Sequence, residues 1–231
     1  MTRRFALYFA PPPGSELEKF SRRWLGRDHI TGHSVKQEII EGLSPDDQQR
    51  ITSSARHYGF HATLKAPFVL KRGRSRDELH QAAENFAQER KPFEAPPLQL
   101  SGLSRWIAFT LSRPSAEMDR LAADCVRDFE PFRAPITDHD LERRRRNGLT
   151  PRQDDQLLAF GYPYIFDDFH FHMTLAGPLD PPEKDMIVDL LHQRAAAMEK
   201  PPLEVDAIAI YEQPDRDHPF TQTARFPFHG V

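Results

Sequence analysis

Short apolar runs at the start and near the middle of the chain predict two equivalent β-strands. The run FALYF covers Phe5 to Phe9, and the run IAFTL covers Ile107 to Leu111. Short apolar runs bounded by turn residues are typical of buried strands. Each run is followed by a proline and then by a serine, Ser15 or Ser115, and serine is a residue type that caps helices. We therefore expect a strand followed by a helix at both places.

A second pair of strands carries one repeated polar pattern. HATLKAPF begins at His61 and HMTLAGPL begins at His172, so that His, Thr, Leu and Pro recur at the same spacing. Polar and apolar positions alternate at the start of both segments, as they do in a half-buried strand. Because the pattern occurs once in each half of the chain and in the same order, it indicates an internal duplication.

Helices are expected after both of these strands. The first begins at Ser75, and Glu78 three residues later completes a capping box. The second begins at Asp180, with Pro181 at its first position and Glu183 completing the box. After these helices the chain reads PPLQL in the first half and PPLEV in the second, which predicts one more strand in each half.

The sequence therefore predicts the order strand, helix, strand, helix, strand in each half of the chain. We expect a single bilobal domain over residues 1–231, with an internal repeat of approximately 1–104 and 105–231. Ser101 to Arg105 resembles a linker, and a last strand is expected near Thr223 to Phe228. The predicted fold class is α+β, with two pseudo-symmetric halves whose antiparallel sheets, flanked by helices, surround a central groove.

Two insertions interrupt the repeat, one in each half, and both are candidates for lids or specificity elements. They cover residues 27–56 and residues 130–164. The first contains one helix and the second contains two. The helix boundaries are expected at Ser44 in the first insertion and, in the second, after Thr137, at Asn147 and Gly148, at Thr150 and at Gly161.

Four polar side chains of the repeated motif are expected to face one cavity. Residues i and i+2 of a strand lie on the same side, so His61 and Thr63 point one way, and His172 and Thr174 do the same. The apolar residues between them point into the layer behind. If the two halves pack about a pseudo-twofold axis, two imidazoles and two hydroxyls line the groove.

Two facing imidazoles suit acid–base chemistry at a phosphorus centre. An imidazole with a pKa near ~6.5 can be neutral or protonated at neutral pH. The neutral ring can take a proton from water or an alcohol, and the protonated ring can give one to the departing oxygen. The hydroxyls of Thr63 and Thr174 can donate to the non-bridging phosphate oxygens, although threonine is also a common strand residue. Which histidine is the base is left open by the sequence.

The paired motifs resemble those of the two-histidine (2H) phosphoesterase superfamily. The segments RHYGFHATLKAPF, NGLTPRQ, FGYPYIF and FHFHMTLAGPL are similar to a bacterial branch encoded beside phosphonate-degradation genes. The resemblance covers essentially the whole chain. It implies a bilobal α+β fold and chemistry without a metal or other cofactor on cyclic or 2′,5′-linked phosphates. It assigns catalytic roles to His61, Thr63, His172 and Thr174.

The expected partner is a small phosphorylated or cyclic-phosphate substrate, with a ribosyl cyclic phosphate and an RNA end carrying a 2′,3′-cyclic phosphate as the two candidates. Residues that flank the motifs can contact it, because arginine suits a phosphate and tyrosine can stack on a base or ribose. These candidates, which can also be ordinary rim residues, are Arg56, Tyr58, Tyr162 and Tyr164. The run Arg143 to Arg146 ends a predicted helix, where it suits the helix dipole or steers an anionic substrate.

Two other functions remain open. Asp168, His170 and His172 share one parity, so they could form a metal half-site of a metal-dependent hydrolase. The first half does not mirror that site, since Gly59 stands at the position equivalent to His170. Alternatively, the groove could be a binding module that captures a phosphorylated ligand or RNA end without turnover.

Composition and charge limit the partners and the location that we expect for the protein. The formal net charge is −3 and the pI is about 6.4, so the whole chain offers no footprint for duplex DNA. No glycine-rich phosphate loop and no membrane-spanning run is present. The lone cysteine, Cys125, is expected to be buried rather than reactive, and we expect a cytoplasmic protein. Trp24 and Trp106 are expected in the core or between the lobes, and the oligomeric state is not predicted.

Overall fold

The computed structural model describes residues 2–146 and 148–230. Over this part of the chain the protein is a mixture of helices and strands, which confirms the predicted α+β class. The strands are β1 (Arg4–Phe9), β2 (Ala62–Phe68), β3 (Phe93–Ala95), β4 (Leu98–Leu103), β5 (Trp106–Leu111), β6 (His172–Ala176), β7 (Leu203–Val205), β8 (Ala207–Gln213) and β9 (Thr221–Pro227). The helices are α1 (Glu16–Leu25), α2 (Pro45–Tyr58), α3 (Arg76–Gln88), α4 (Ala116–Asp128), α5 (Asp138–Arg145), α6 (Pro151–Phe160) and α7 (Pro181–Ala195).

Two antiparallel sheets share one arrangement. The first has the order β2-β1-β8-β9 and the second has the order β6-β5-β4. In both sheets the strand of the His-x-Thr motif is at an edge, and the first strand of the same half lies beside it. The antiparallel prediction is therefore confirmed.

The third strand of each sheet comes from the opposite half of the chain. β8 pairs with β1, and β4 pairs with β5. Strands β3 and β7 form a separate short antiparallel pair in which Glu94 lies opposite Glu204. The repeat of residues 1–104 and 105–231 stays our interpretation of the sequence, but neither sheet is built from one half alone.

Serine and threonine side chains begin most of the helices at the predicted places. Each accepts a hydrogen bond from the backbone amide three residues later, which satisfies a donor that the helix leaves unpaired. These caps are Ser15, Ser44, Ser75, Ser115, Thr137 and Thr150. Asn147, at the predicted end of α5, lies outside the described residues. Among the helices in the described part of the chain, none has the length and hydropathy to cross a bilayer.

The predicted capping box at Asp180 does not form. Helix α7 begins at Pro181 as expected, but the side chain of Asp180 makes no capping hydrogen bond. Instead, Asp180 accepts a hydrogen bond of 3.0 Å from Arg105, and Glu183 contacts Arg50 of helix α2. Arg105 and Arg50, which are distant in the sequence, thus bind the two carboxylates that were expected to cap the helix.

The predicted set of strands needs correction at two places. The stretch from Ser101 to Arg105 is not a linker, because β4 continues through Leu103 and pairs with β5 in a tight hairpin that turns at Ser104, whose φ is 51°. Strand β8 was not predicted at all. All seven of its residues are buried, so the chain there lacks the alternation that reveals a half-exposed strand.

The core lies between the sheets and the helices, and Trp24 connects two elements across it. This side chain is 2% exposed, and its Nε1–H donates a hydrogen bond of 2.9 Å to the carbonyl of Leu175 in β6. Cys125 is buried as predicted, and burial raises the pKa of its thiol. Trp106 is half-buried and packs close to Gly177, where an added Cβ would lie 2.7 Å from the indole.

Replacement of Trp24 by phenylalanine should destabilise the fold. The carbonyl of Leu175 would lose its indole donor inside the core, and a buried acceptor without a partner costs about 1–3 kcal/mol. We expect this loss in the free energy of unfolding measured by urea denaturation. Trp106→Phe is the matched control, since Trp106 is less buried, and a larger loss in the control than in Trp24→Phe would contradict the role of the hydrogen bond.

Candidate functional site

The two motif strands lie next to each other although they belong to different sheets. Strand β2 contacts β6 directly, at the edges where the two sheets meet. The apolar residues between the polar ones are buried in the core, at Ala62, Leu64, Met173 and Leu175. The polar residues of the motif are half-buried on the opposite side, at His61, Thr63, His172 and Thr174. This is the alternation that a period of two residues produces.

Both histidine rings are held by the same kind of hydrogen bond. The Nδ1 atom of His61 lies 2.8 Å from the carbonyl oxygen of Gly59, and the Nδ1 atom of His172 lies 2.8 Å from the carbonyl oxygen of His170. A carbonyl oxygen can only accept, so Nδ1 carries the proton in both rings. In the neutral form of either ring, the lone pair is therefore on Nε2.

The Nε2 atom of His61 lies 3.2 Å from Oγ1 of Thr63. Because the lone pair is on Nε2, the hydroxyl of Thr63 donates to it when no ligand is present. Thr174 lies on the same side of β6 as His172, opposite Ala108 of β5. Each half thus places one hydroxyl beside one imidazole, on the side that faces away from the core.

Gly59 has a backbone conformation that an ordinary residue would not adopt there. It ends helix α2 with a φ of 78°, and an added Cβ would lie 3.0 Å from the Cβ of His29 and 3.3 Å from the ring of Tyr211. Glycine tolerates both the positive φ and the close approach. The carbonyl of Gly59 can therefore point at His61 directly after the end of a helix.

An aromatic environment keeps His61 neutral. The ring of Tyr8 stacks on His61 with a centroid distance of 3.6 Å and an interplanar angle of 17°. Burial lowers the pKa of His61 to about 3, against the opposing effect of the hydrogen bond to Gly59. The charge of His172 lowers the same pKa further, because like charges repel, so the two imidazoles lie within electrostatic range of each other.

Tyr8 and Tyr211 are site residues that were not predicted from the sequence. They belong to an apolar cluster on the groove side of the first sheet, together with Ala6, Ala10, Ala209 and Phe220, and Tyr58 packs against it. The sequence of β1 contained the signal, because Phe5, Leu7 and Phe9 face the main core and the opposite face carries Arg4, Ala6 and Tyr8. Tyr8 is also directly opposite Thr63 in the pairing of β1 with β2.

The predicted substrate-binding residues separate into two groups. Tyr58 stacks on Phe220 at 5.5 Å, and Tyr162 lies near enough for the charge on Tyr58 to raise its pKa, although burial is the larger cause. Tyr164 is more exposed and makes an edge contact of 5.6 Å with Tyr162. The guanidinium of Arg56, in contrast, lies back along α2, where it donates to the carbonyl of Gln49.

The alternative metal half-site does not assemble. Asp168 accepts hydrogen bonds from Arg152 at 3.0 Å and from Gln153 at 3.1 Å. His170 is exposed, and its carbonyl is occupied with His172. In the described part of the chain, no group of three or more His, Cys, Asp or Glu side chains is placed to hold a metal ion. The ion pair with Arg152 gives Asp168 a structural role instead.

The arginine run at the end of α5 does not act as one surface. Arg143 donates to Asp140 at 3.0 Å, and Arg145 pairs with Asp154 at 2.6 Å. Arg144 turns inward and places its guanidinium 4.8 Å from the centre of the Tyr162 ring. A cation over an aromatic face is a stabilising contact, and it brings a positive charge to the side of the groove.

Comparison with known sequences identifies relatives for most of the chain. Residues 63–221 match the family described as a protein of unknown function (DUF1045). The chain is 36% identical over 231 residues to ribose 1,5-bisphosphate phosphokinase PhnN of Janthinobacterium sp. (strain Marseille), which covers 98% of this chain and 51% of that protein. It is 32% identical over 221 residues to the protein of the same name from Laribacter hongkongensis (strain HLHK9), which covers 92% of this chain and 48% of that protein. The chain thus spans about half the length of the curated relatives it matches.

Among solved structures, the chain is similar to LigT of E. coli in its apo form. The TM-score is 0.47 and the sequence identity is 14%, with 99% of this chain and 98% of that chain covered.

The tautomer and the pKa of His61 can be checked by NMR. With ¹⁵N-labelled histidine we expect His61 to remain neutral, with its proton on Nδ1, from pH 8 down to pH 5, because its pKa is about 3. His172→Ala should raise this pKa, since it removes a like charge. A ring of His61 that titrates near the ordinary histidine value, or that carries its proton on Nε2, would contradict the geometry.

The neighbouring His29 should make the fold sensitive to acid. It is 2% exposed, it stacks on Tyr211, and burial lowers its pKa to about 4. The unfolded chain would protonate it near its ordinary value of 6.5, so stability is complete above that pH and is lost as the pH falls towards 4. Between pH 7 and pH 5 the loss from His29 should be about 2 kcal/mol. Urea denaturation of His29→Phe at the two pH values should show this loss removed, and an unchanged difference would contradict it.

Proposed function

The chain belongs to the DUF1045 family, and from this premise and the geometry of its groove we propose that it is a metal-independent phosphoesterase that opens a cyclic phosphodiester. His61 and His172 are the acid–base pair, and Thr63 and Thr174 hold the phosphate. The observation that carries the proposal is the matched pair of Nδ1 hydrogen bonds to the carbonyls of Gly59 and His170. These bonds leave both Nε2 atoms available to a substrate between the strands.

We assign the role of base to His61. Its low pKa means that Nε2 is unprotonated at neutral pH and can accept a proton from an attacking water. A group with so low a pKa is a weak base in the empty groove, but an anionic phosphate beside the ring stabilises the protonated form and raises the pKa. The base would thus strengthen when the substrate binds.

His172 then has the role of acid. Water attacks phosphorus as its proton passes to Nε2 of His61, and the bond from phosphorus to one ring oxygen breaks. The proton on Nε2 of His172 passes to that oxygen, which becomes a hydroxyl. The product is a phosphate monoester, and the two histidines regain their starting states by exchange of a proton with solvent.

The threonines can stabilise the charge that develops on the phosphate. In the empty groove the hydroxyl of Thr63 donates to His61, but its proton can turn to a non-bridging oxygen when the imidazole accepts a proton from water. Thr174 is placed to do the same from β6. Donors fixed on strands need little rearrangement during the reaction, which is why such contacts favour the transition state.

The substrate class we favour is a ribosyl cyclic phosphate, as the resemblance to the phosphonate-associated branch suggests. The name shared by the two relatives refers to a phosphorylated ribose, which supports a sugar phosphate rather than a polymer. An RNA end with a 2′,3′-cyclic phosphate presents the same reacting group and is the second candidate. The tyrosines along the groove, Tyr58 and Tyr162, can pack on a ribose or a base in either case.

Replacement of either histidine should remove most of the turnover. Loss of a general acid or base costs about 10²–10⁴-fold in rate, so we expect kcat in His61→Ala and His172→Ala to fall within that range. The assay follows hydrolysis of ribosyl cyclic phosphates and nucleoside 2′,3′-cyclic phosphates in the presence of a chelator. His33→Ala is the control, because His33 is exposed and outside the groove.

Three outcomes would contradict this proposal in different ways. Undiminished turnover in both histidine variants would remove the assignment of the catalytic pair. Saturable binding of a cyclic phosphate by the wild type, without any product, would instead identify the groove as a binding module. Activity that is lost with chelator and restored by metal would replace the metal-independent mechanism.

A further inference from the structure

A pocket lined by arginines lies beside the tyrosines of the groove. It is formed by the start of β1, the segment after β2, helix α5 and the loop between β8 and β9. Its guanidinium groups come from Arg4, Arg133, Arg143, Arg144 and Arg216, with Asp140 among them. Arg133 is already paired with Glu130. Apolar and small residues, including Val69 and Gly161, line the remainder of the wall. The proposed reaction does not use any of these residues.

The positive charge in this pocket exceeds the negative charge that faces it. Asp140 accepts hydrogen bonds from Arg216, at 2.9 and 2.8 Å, and from Arg143, at 3.0 Å, so one carboxylate serves two guanidinium groups. Arg4 donates at 2.7 Å to the amide oxygen of Gln213, which carries no charge. A guanidinium that is half-buried without a carboxylate is costly unless an anion joins it.

Arg144 shows the imbalance most clearly. Its Nε is buried and has no hydrogen-bond partner in the described part of the chain, while its guanidinium lies over Tyr162. Burial lowers the pKa of Arg144, and the nearby charge of Arg143 lowers it further. Its neighbour Arg145 differs in every respect, since it is exposed and pairs with Asp154 through two hydrogen bonds. Arg144 thus contacts Tyr162 beside the groove and makes no hydrogen bond to a carboxylate among the described residues.

Tyrosine side chains connect this pocket to the imidazoles. Arg4 is close enough to Tyr8 to influence the pKa of its hydroxyl, and Tyr8 stacks on His61. On the other side, Arg144 contacts Tyr162, which in turn lies near Tyr58. A small molecule that lies along these tyrosines would have one end between the histidines and the other end at the arginines.

We propose that the arginine pocket binds a second anionic group, a phosphate monoester, on the same substrate whose cyclic phosphodiester lies between His61 and His172. This inference rests on the proposed function and names its substrate class: a sugar or nucleoside cyclic phosphate that carries a terminal phosphate at its far end. Guanidinium groups suit this role because their planar N–H donors match the oxygens of a phosphate and remain charged at all relevant pH values.

The first test compares two substrates that differ only in the terminal phosphate. Cytidine 2′,3′-cyclic phosphate is assayed with and without a 5′-phosphate, and the readout is the ratio of the two kcat/KM values. We expect the wild type to prefer the phosphorylated substrate by about tenfold or more, which is the effect of one charge-assisted hydrogen bond. Arg144→Gln should lower this ratio by about tenfold. Arg216 lies in a loop, and Arg216→Gln should also lower this ratio. It provides a second test in case Arg144→Gln does not fold.

Arg145→Gln is the matched control, because it removes the same charge one residue away and outside the pocket. It should leave the ratio unchanged. A ratio near one in the wild type, or a ratio that Arg144→Gln and Arg216→Gln do not alter, would overturn the second site even if turnover proves the proposed function. A ratio that falls equally in Arg145→Gln would also overturn it, since bulk charge would then explain the preference.

A binding experiment tests the pocket independently of catalysis. Ribose 5-phosphate has no cyclic phosphodiester, so its binding, measured by calorimetry, does not depend on turnover. We expect Arg144→Gln to weaken its binding about tenfold and Arg145→Gln to leave it unchanged. If no cyclic phosphate is hydrolysed but this pattern holds, the anion pocket stands and the proposed reaction fails. Equal affinity in wild type and Arg144→Gln would overturn the pocket.

Discussion

The hydrogen bond from Nδ1–H of each histidine to the carbonyl two residues earlier determines which ring nitrogen is available in the groove. Because a carbonyl cannot donate, it fixes both tautomers and turns both Nε2 atoms in the same sense. The two carbonyls come from different local structures. Gly59 ends a helix in a left-handed conformation, whereas His170 follows a short 3₁₀ turn. A helix end and a 3₁₀ turn therefore give the same hydrogen bond to Nδ1. As a result, the two motif strands, which belong to different sheets, have the same ring nitrogen available.

The surroundings of the two rings differ, and our proposal of different roles for them rests on this difference. His61 has Tyr8 against one face and the cluster of Tyr211 and Phe220 behind it, so this face is shielded from solvent. Among the described residues, no aromatic ring stacks on His172 in the same way. A duplicated motif by itself would give two equal groups with no reason to differ in protonation. Tyr8 and its neighbours in the first sheet make the surroundings of His61 different from those of His172, as the proposed division into a base and an acid requires.

Local sequence patterns predict most of the helices and strands. Burial and contacts between distant residues explain the features that the sequence does not predict. Serine and threonine caps and the two-residue alternation depend on neighbours in the sequence, so the helix starts and the faces of β2 and β6 could be predicted. Strand β8 was missed because it is buried on both faces, and the Asp180 cap because Arg105 takes its carboxylate. The arginine pocket could not be predicted, since it brings Arg4 together with Arg144 and Arg216 from the second half of the chain. Such groupings are visible only once the sheets are assembled.

The exchange of β4 and β8 between the two sheets has a consequence for how the protein can be divided. A fragment that stops before β5 would own the motif strand β2 but lack β8, and the complementary fragment would own β6 but lack β4. Neither piece could complete its hydrogen-bonded ladder alone, so each would leave an open edge that recruits a third strand. Each of the two sheets therefore needs strands from both halves of the chain, and a cut between β4 and β5 would disrupt both sheets at once.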